Sequence, residues 1–190
     1  MLSKMLTSPL QTHDLTRAME LYPELEEGDV VVGDRGFCSF AHLMLLCQRG
    51  IHAVFRLNSK LDVDFRKTLR RVDNERVFVR GERIRKLGKT DQLIYWQKTS
   101  YLPKWMSIEQ FSSLPELLVV RELRYKLNRK GFRSADITLV TTLIDSEAYT
   151  KVEIAELYGL RWEIETNIRH LKITLGADVL HCKTVDGVLK

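Results

Sequence analysis

Residues 158–172, YGLRWEIETNIRHLK, are the most informative stretch of this sequence. On a helix that turns about 100° per residue, four polar residues fall within a stripe about 60° wide: Tyr158, Arg161, Glu165 and Lys172. A second stripe, centred about 90° away, is apolar and consists of Leu157, Leu160, Ile164, Ile168, Leu171 and Leu175. The pattern predicts a helix that rests on a core through the apolar stripe and presents the polar stripe beside it.

The composition is that of a folded protein with a mild basic excess. The chain has 190 residues, 44% hydrophobic and 29% charged, which suffices for one core and a smaller subdomain. A formal net charge of +5 favours anionic partners such as nucleic acid, but it fits ordinary surface lysines and arginines equally well. Three cysteines without a C-x-x-C pair indicate neither a disulfide framework nor a zinc site, and they fit a reducing cytosol. The apolar runs are too short for a signal peptide or a membrane span.

The first part of the chain predicts a β–α–β unit. A short helix is expected at residues 14–25, a strand at 29–34, a helix at 39–49 and a second strand at 51–57. The β-branched run before Gly33 is typical of a parallel-sheet strand that is covered on both faces. Asp34 follows at the carboxyl end of that strand, where open α/β sheets collect their functional groups.

Between residues 59 and 145 the pattern changes to short strands with basic edges. Residues 56–89 hold twelve Lys or Arg against five Asp or Glu. Strands are predicted at 76–80, 93–98, 117–125 and 136–143, with a hairpin turn at 128–131. Basic residues also prevent edge-to-edge pairing of sheets, so this charge alone does not require a nucleic-acid partner. A long helix is predicted at 145–175.

Two carboxylates occupy positions suited to metal-ion chemistry, namely Asp34 at a strand end and Glu165 on the polar stripe. Phosphodiester chemistry with two Mg²⁺ ions about 3.5–4 Å apart requires hard oxygen ligands of this kind. Arg161 and Lys172 would neutralise phosphates, and Tyr158 would hydrogen-bond a phosphate or pack against a base or sugar. Taken singly, each carboxylate fits an ordinary turn or surface position as well.

The spacing of the polar stripe carries a family resemblance. Tyr158, Arg161, Glu165 and Lys172 match the Y-(2)-R-(3)-E-(6)-K signature of the IS4-type DDE transposases, which include a Tn5-like branch. Residues 31–37, VVGDRGF, resemble the segment around the second catalytic Asp of that family. A β-rich insertion between that Asp and the catalytic Glu is also similar to the family. The resemblance extends from about residue 12 to about residue 183.

The resemblance implies an α/β, RNase H-like fold, partial in this chain, with core parts at residues 1–58 and 146–190 and the insertion at 59–145. It implies that Asp34 and Glu165 are catalytic and bind Mg²⁺, or Mn²⁺, for hydrolysis of phosphodiesters at transposon ends and for strand transfer. Tyr158, Arg161 and Lys172 would be DNA-binding residues. The implied partners are double-stranded transposon-end DNA and a second copy of the chain. The expected compartment is the cytoplasm, with no membrane association.

The sequence departs from the family at its first catalytic Asp, which has no match here. The strand that carries it lies well upstream of the helix predicted at 14–25, and Asp14 fits the cap of that helix. We therefore expect a transposase truncated at its N-terminus, with impaired catalysis. Two alternatives stay open: a non-catalytic DNA-binding or oligomerising transposase remnant, and a cellular nuclease of the same broad fold.

Tryptophan has a family role of its own. Relatives that form a hairpin DNA end hold a flipped base with a Trp of the insertion. Trp96 and Trp105 are both candidates for that role, and the sequence does not favour one of them. Trp162, in the late helix, is expected to pack instead.

Overall fold

Six strands form a single mixed sheet in the computed structural model, which describes residues 17–58, 61, 63–65, 83–127 and 135–174. The strands are β1 (Val30–Gly33), β2 (His52–Arg56), β3 (Arg83–Gly88), β4 (Asp91–Gln97), β5 (Leu117–Leu127) and β6 (Ala135–Thr141). Their order is β1-β2-β6-β5-β4-β3. The helices are a 3-10 helix (Met19–Glu24), α1 (Phe40–Cys47), α2 (Ile108–Ser113) and α3 (Lys151–Thr174).

The predicted β–α–β unit is confirmed. β1 and β2 are parallel, with Val30 opposite His52 and Gly33 opposite Phe55, and α1 connects them. Ser39 caps α1, because its hydroxyl accepts a hydrogen bond from the backbone N–H of His42 at 3.3 Å. All other neighbouring strands in the described sheet are antiparallel.

β1 differs from the prediction in its burial. Gly33 is its one buried residue, and Val30 is 37% exposed. Both faces of the strand are covered as predicted, since Val31 packs against the cluster that contains Phe40 and Val32 against the cluster that contains Ile154. The burial is incomplete because β1 is the edge strand of the described sheet and is packed from fewer directions than an interior strand. A Cβ on Gly33 would lie 2.8 Å from the ring of Phe55, so glycine permits the close approach of the two strands.

The strands of the predicted insertion extend the same sheet. β6 pairs with β2, placing Val54 opposite Thr141, and β5, β4 and β3 follow in antiparallel order. β4, β5 and β6 confirm the strands predicted at 93–98, 117–125 and 136–143. The strand predicted at 76–80 and the turn at 128–131 lie outside the described residues, and β3 and α2 were not predicted. β3 forms the far edge and carries Arg83, Arg85 and Lys86, as expected of a basic edge strand.

A hydrophobic core lies on each face of the sheet. The core on the side of α1 and α2 is the larger one, and its buried members include Phe40, Leu43, Leu46, Phe55, Trp96 and Val120. The core under α3 contains Val54, Leu123, Ile137, Leu139, Leu143, Ile154 and Tyr158. Helices thus cover both faces of the sheet, which confirms the predicted α/β class.

A buried ion pair ties the sheet to the residues that precede α3. Arg121 Nε and Nη2 donate to the two carboxylate oxygens of Asp91 at 2.9 and 2.6 Å, and Nη1 donates to the carbonyl of Tyr149 at 2.6 Å. The two side chains are only 2% and 8% exposed. Because Tyr149 lies two residues before α3, this pair holds the N-terminal end of that helix against β4 and β5.

α3 begins later than predicted. A helix was expected from residue 145, but the carboxylate of Asp145 accepts hydrogen bonds from the backbone N–H groups of Glu147 and Ala148, which makes a turn instead. The helix then begins at Lys151 behind a reciprocal cap. The Thr150 N–H donates to Glu153 Oε2 at 2.8 Å, and the Glu153 N–H donates to Thr150 Oγ1 at 3.3 Å.

The described part of the helix predicted at 14–25 is helical, but most of it is a 3-10 helix. Residues 17–18 are α-helical, and residues 19–24 form a 3-10 helix that contains Pro23. Proline has no N–H and is unfavourable inside an α-helix, which explains the tighter winding. Asp14, the expected cap, lies outside the described residues.

The face of α3 that meets the sheet agrees with the predicted apolar stripe only in part. Ile154 and Tyr158 are fully buried, and Leu157 of the stripe packs against the same core, as predicted. Leu160, from the same stripe, is 52% exposed, so the prediction is wrong at that residue. Arg161, from the polar stripe, faces the end of β1, where it meets Asp34. The side chains of Ile164, Ile168 and Leu171 lie outside the described part of the chain, as does Leu175.

Candidate functional site

Asp34 lies directly after β1, at the carboxyl-terminal edge of the parallel strands. Its carbonyl accepts a hydrogen bond from the Phe37 N–H at 3.0 Å, which closes the turn that leads toward α1. Its side chain is 40% exposed. The Oδ1 atom is nevertheless buried, and within the described residues it accepts no hydrogen bond. One oxygen of this carboxylate is therefore disposed to bind a cation.

Arg161 of α3 brings a positive charge to this carboxylate. Its Nη2 lies 3.7 Å from Asp34 Oδ1, and its side chain is 17% exposed. The guanidinium carbon lies 5.7 Å from the centroid of the Tyr158 ring and 5.3 Å from that of the Trp162 ring, within the range of cation–π attraction. The structure thus brings Asp34 close to Tyr158 and Arg161, which the sequence singled out in a distant part of the chain.

Tyr158 is fully buried in the core beneath α3. Its hydroxyl has no hydrogen-bond partner among the described residues. Burial raises the pKa of Tyr158, and the positive charge of Arg161 opposes that shift. The phenol is therefore neutral and forms part of the surface on which the Arg161 guanidinium rests. Its predicted contact with DNA stays a prediction.

Two residues that the sequence did not single out complete this cluster, Arg56 and Tyr125. Arg56 ends β2, and since Gly33 is opposite Phe55, it stands beside Asp34 at the end of the neighbouring parallel strand. Burial raises the pKa of Tyr125, on β5, to about 12; repulsion from a phenolate at Tyr158 would add to that shift, and the charge of Arg56 opposes it. The position of Arg56 after a parallel strand was a usable signal, since carboxyl ends of parallel strands share one edge. No local pattern marks Tyr125.

A family model described as the transposase DDE domain matches residues 1–190. The chain belongs to the transposase DDE domain family. Neither a search of curated proteins nor a search of solved structures returned a match. Membership in this family indicates a role in DNA transposition with DNA as the substrate. The family generally uses a divalent metal ion. The mixed sheet covered by helices on both faces is compatible with a partial RNase H-like fold of DDE transposases.

The two other predicted residues of this transposase domain, Glu165 and Lys172, lie in α3 beyond Arg161. Their side chains lie outside the part of the chain that the structure describes, so their roles stay predictions. Asp34 fits a hard cation, since its Oδ1 is buried and accepts no hydrogen bond from the residues described. Within the same residues, no group of three or more His, Cys, Asp or Glu could hold a metal ion.

The tryptophans of the predicted insertion are both engaged in packing. The Trp96 side chain is 5% exposed, and its Nε1 donates to Glu122 Oε1 at 3.2 Å. Trp105 stacks on the ring of His42 with centroids 4.3 Å apart. Trp96 could therefore stack on a flipped base only by leaving the core. Trp162 is half-buried beneath the Arg161 guanidinium, which agrees with the expected packing role.

Tyr22 and His42 form a buried titratable pair in the core on the side of α1, on the face of the sheet opposite α3. The hydroxyl of Tyr22 and Nδ1 of His42 share a hydrogen bond of 2.5 Å, and burial lowers the pKa of His42 to about 4. Burial also raises the pKa of Tyr22. The pair links the 3-10 helix to α1 as a neutral hydrogen bond.

A separate finding concerns membranes: no helix in the described ranges is long and apolar enough to cross a bilayer.

Proposed function

We propose that this chain is the transposase domain of an IS4-type, Tn5-like cut-and-paste element. It binds transposon-end DNA, and it carries two of the ligands for metal-dependent phosphodiester hydrolysis and strand transfer. Catalysis by this polypeptide is impaired, because no residue of its sequence matches the first catalytic Asp. The observation that supports the proposal is the meeting of Asp34 with Arg161 at the carboxyl end of β1. The carboxylate can bind a metal ion and the neighbouring guanidinium can bind a phosphate, so this place suits both ligands.

In this proposal Asp34 and Glu165 hold Mg²⁺, with Mn²⁺ as a substitute. The ion, when bound, supplies Lewis-acid stabilisation of the phosphate and activation of water. Arg161 neutralises the phosphate charge, and Lys172 makes a further phosphate contact. Tyr158 belongs to the DNA-binding site through Arg161, since its buried ring supports the guanidinium at 5.7 Å.

DNA binding tests the first half of the proposal. The two sequences that flank the gene serve as candidate ends, with scrambled duplexes for comparison, in fluorescence anisotropy at several salt concentrations. Arg161→Gln is expected to weaken binding about tenfold at low salt and to reduce the salt slope by about one. The matched control is Arg17→Gln, which removes the same charge from the exposed Arg17–Glu20 pair far along the chain. Equal affinity of Arg161→Gln and wild type would contradict the proposal.

Nicking of the same DNA tests the second half. The purified chain with Mg²⁺ or Mn²⁺ is expected to nick end DNA slowly, and Asp34→Asn and Glu165→Gln are expected to abolish the nicking. Robust nicking by wild type that disappears in Glu165→Ala would contradict the impairment and show a complete active site.

A second candidate is a non-catalytic DNA-binding or oligomerising transposase remnant. The Asp34–Arg161 ion pair favours it, because the carboxylate is already neutralised by a side chain. This candidate predicts DNA binding with no metal-dependent nicking, and no change in nicking on Asp34→Asn. The same nicking assay therefore separates the two functions.

We also propose a homodimer that acts on paired DNA ends, following the family resemblance, in the cytoplasm, following the cysteine usage. Light scattering coupled to size-exclusion chromatography, with and without end DNA, tests the dimer. A complex that contains a single chain and a single duplex at all concentrations would contradict it.

A further inference from the structure

We infer that Arg161 and a divalent cation compete for Asp34, so that a DNA phosphate which engages Arg161 raises the affinity of the site for metal. The inference rests on the proposed function, since it takes Asp34 as a metal ligand and Arg161 as a phosphate contact. It adds a coupling between the two binding events, with Arg161 as the residue that transmits it.

The geometry places both cations at the same oxygen. Arg161 Nη2 lies 3.7 Å from Asp34 Oδ1, and this oxygen accepts no hydrogen bond within the described residues. The pair is thus close enough for charge attraction but too long for a hydrogen bond. A Mg²⁺ ion bound to that oxygen at about 2.0–2.1 Å would stand within about 6 Å of the guanidinium. The two positive groups would repel each other in a partly buried setting, where screening by water is incomplete.

Arg161 is also restrained from moving away. Its side chain is 17% exposed, and its guanidinium carbon lies 5.7 Å from the centroid of the Tyr158 ring and 5.3 Å from that of the Trp162 ring. Tyr158 is fully buried, so this support is part of the core. Arg56, at the end of β2, adds a charge of the same sign to the edge. In the absence of DNA, the metal therefore meets a carboxylate that is already neutralised.

A bound phosphodiester changes the competition between Arg161 and the metal ion for Asp34. Its negative charge pairs with the Arg161 guanidinium, which offsets the repulsion and leaves Asp34 available to the cation. By thermodynamic linkage, metal binding at Asp34 must strengthen phosphate binding at Arg161 by the same factor. The site therefore binds the metal ion more tightly after DNA has bound than before.

Mn²⁺ titration followed by electron paramagnetic resonance of the free ion tests this inference on the full chain. Without DNA, Arg161→Gln is expected to bind Mn²⁺ about tenfold more tightly than wild type. Arg161→Lys keeps the charge and is expected to stay within about twofold of wild type. The control Arg17→Gln removes a charge from an exposed ion pair and is expected to change nothing beyond about twofold.

The second arm adds a short duplex, with the Mn²⁺ bound by DNA alone measured in parallel and subtracted. Duplex is expected to tighten Mn²⁺ binding by wild type several-fold more than it tightens binding by Arg161→Gln. Circular dichroism of each variant verifies that it is folded.

Two outcomes overturn the inference in distinguishable ways. If Asp34→Asn abolishes Mn²⁺ binding but Arg161→Gln does not tighten it, competition is absent while the proposed metal site stands. If Asp34→Asn leaves Mn²⁺ binding unchanged, Asp34 is not a ligand, and the inference fails together with the proposed catalytic function.

Discussion

Arg121 on β5 and Asp91 on β4 form a buried two-point ion pair, with donor–acceptor distances of 2.9 and 2.6 Å. The remaining Arg121 nitrogen donates to the carbonyl of Tyr149, just before the helix that carries Arg161. β4 and β5 therefore help to place α3 over β1. A contact far from Asp34 contributes to the geometry of the candidate site.

Removal of one partner of this pair should lower the stability of the folded protein. Arg121→Met leaves the Asp91 carboxylate buried without its partner, and we expect the free energy of unfolding in urea to fall by about 3–5 kcal/mol. The double variant Asp91→Leu/Arg121→Met should regain most of that loss, because no uncompensated charge remains. A double variant as unstable as the single one would show that the pair contributes more than charge compensation.

Gly33 should not tolerate a methyl group. Its Cβ would lie 2.8 Å from the Phe55 ring, so Gly33→Ala should lower the free energy of unfolding by about 1–3 kcal/mol. Gly36 is the matched control, since a Cβ there meets nothing within 4 Å. Gly36→Ala should change stability by less than about 0.5 kcal/mol. Equal effects in a chemical denaturation series would refute the packing argument.

Gly159 should be replaceable with a gain in stability. It lies inside α3, and a Cβ there would meet nothing within 4 Å. Gly159→Ala should raise the free energy of unfolding by about 0.5–1 kcal/mol, because alanine loses less backbone entropy in a helix. Thermal melting measures this effect. A lower melting temperature would indicate that the helix needs the flexibility of glycine next to Tyr158.

The hydroxyl of Tyr158 should be dispensable for DNA binding. It is buried and has no hydrogen-bond partner among the described residues, so Tyr158→Phe should leave stability and DNA affinity nearly unchanged. Tyr158→Ala should cost about 3–5 kcal/mol, because it leaves a cavity in the core beneath α3. A loss of DNA affinity in Tyr158→Phe without a loss of stability would show that the hydroxyl contacts DNA directly.

His42 should make stability depend on pH. The unfolded chain protonates this imidazole near its ordinary pKa of 6.5, whereas burial lowers the pKa of His42 in the folded protein to about 4. Between these values the unfolded state binds more protons, so stability falls as pH is lowered from about 6.5 to about 4. The total loss should be about 3 kcal/mol, and nothing is lost above that window.

The variant His42→Phe isolates this contribution. Its free energy of unfolding, measured in urea across the same pH range, should lack the part of the slope that His42 contributes in wild type. Parallel curves for the two proteins would show that His42 does not titrate between its two expected pKa values.

The elements that were predicted correctly depend on local signals. The run VVVG and the return strand before Arg56 are β-branched and apolar, and Ser39 is a strong helix cap, so the β–α–β unit was predictable. β3 and α2 were missed because their sequences have weak periodicity, and they are held by pairing with β4 and by a capping box at Ser107. The late start of α3 reflects competition between the Asp145 turn and the Thr150 cap, which a hydrophobic pattern does not resolve.

The sequence by itself predicted the DDE transposase family, which the family model confirms, and it located Asp34 at a strand end. Only the tertiary structure decided which face of α3 meets the sheet. That choice depends on the partner surface, where Ile154 and Tyr158 are buried in the core beneath α3 and Leu160 is left exposed. Arg56 and Tyr125 join the cluster for the same reason. Their proximity arises from pairing between strands distant in sequence, and local periodicity carries no information about such pairing.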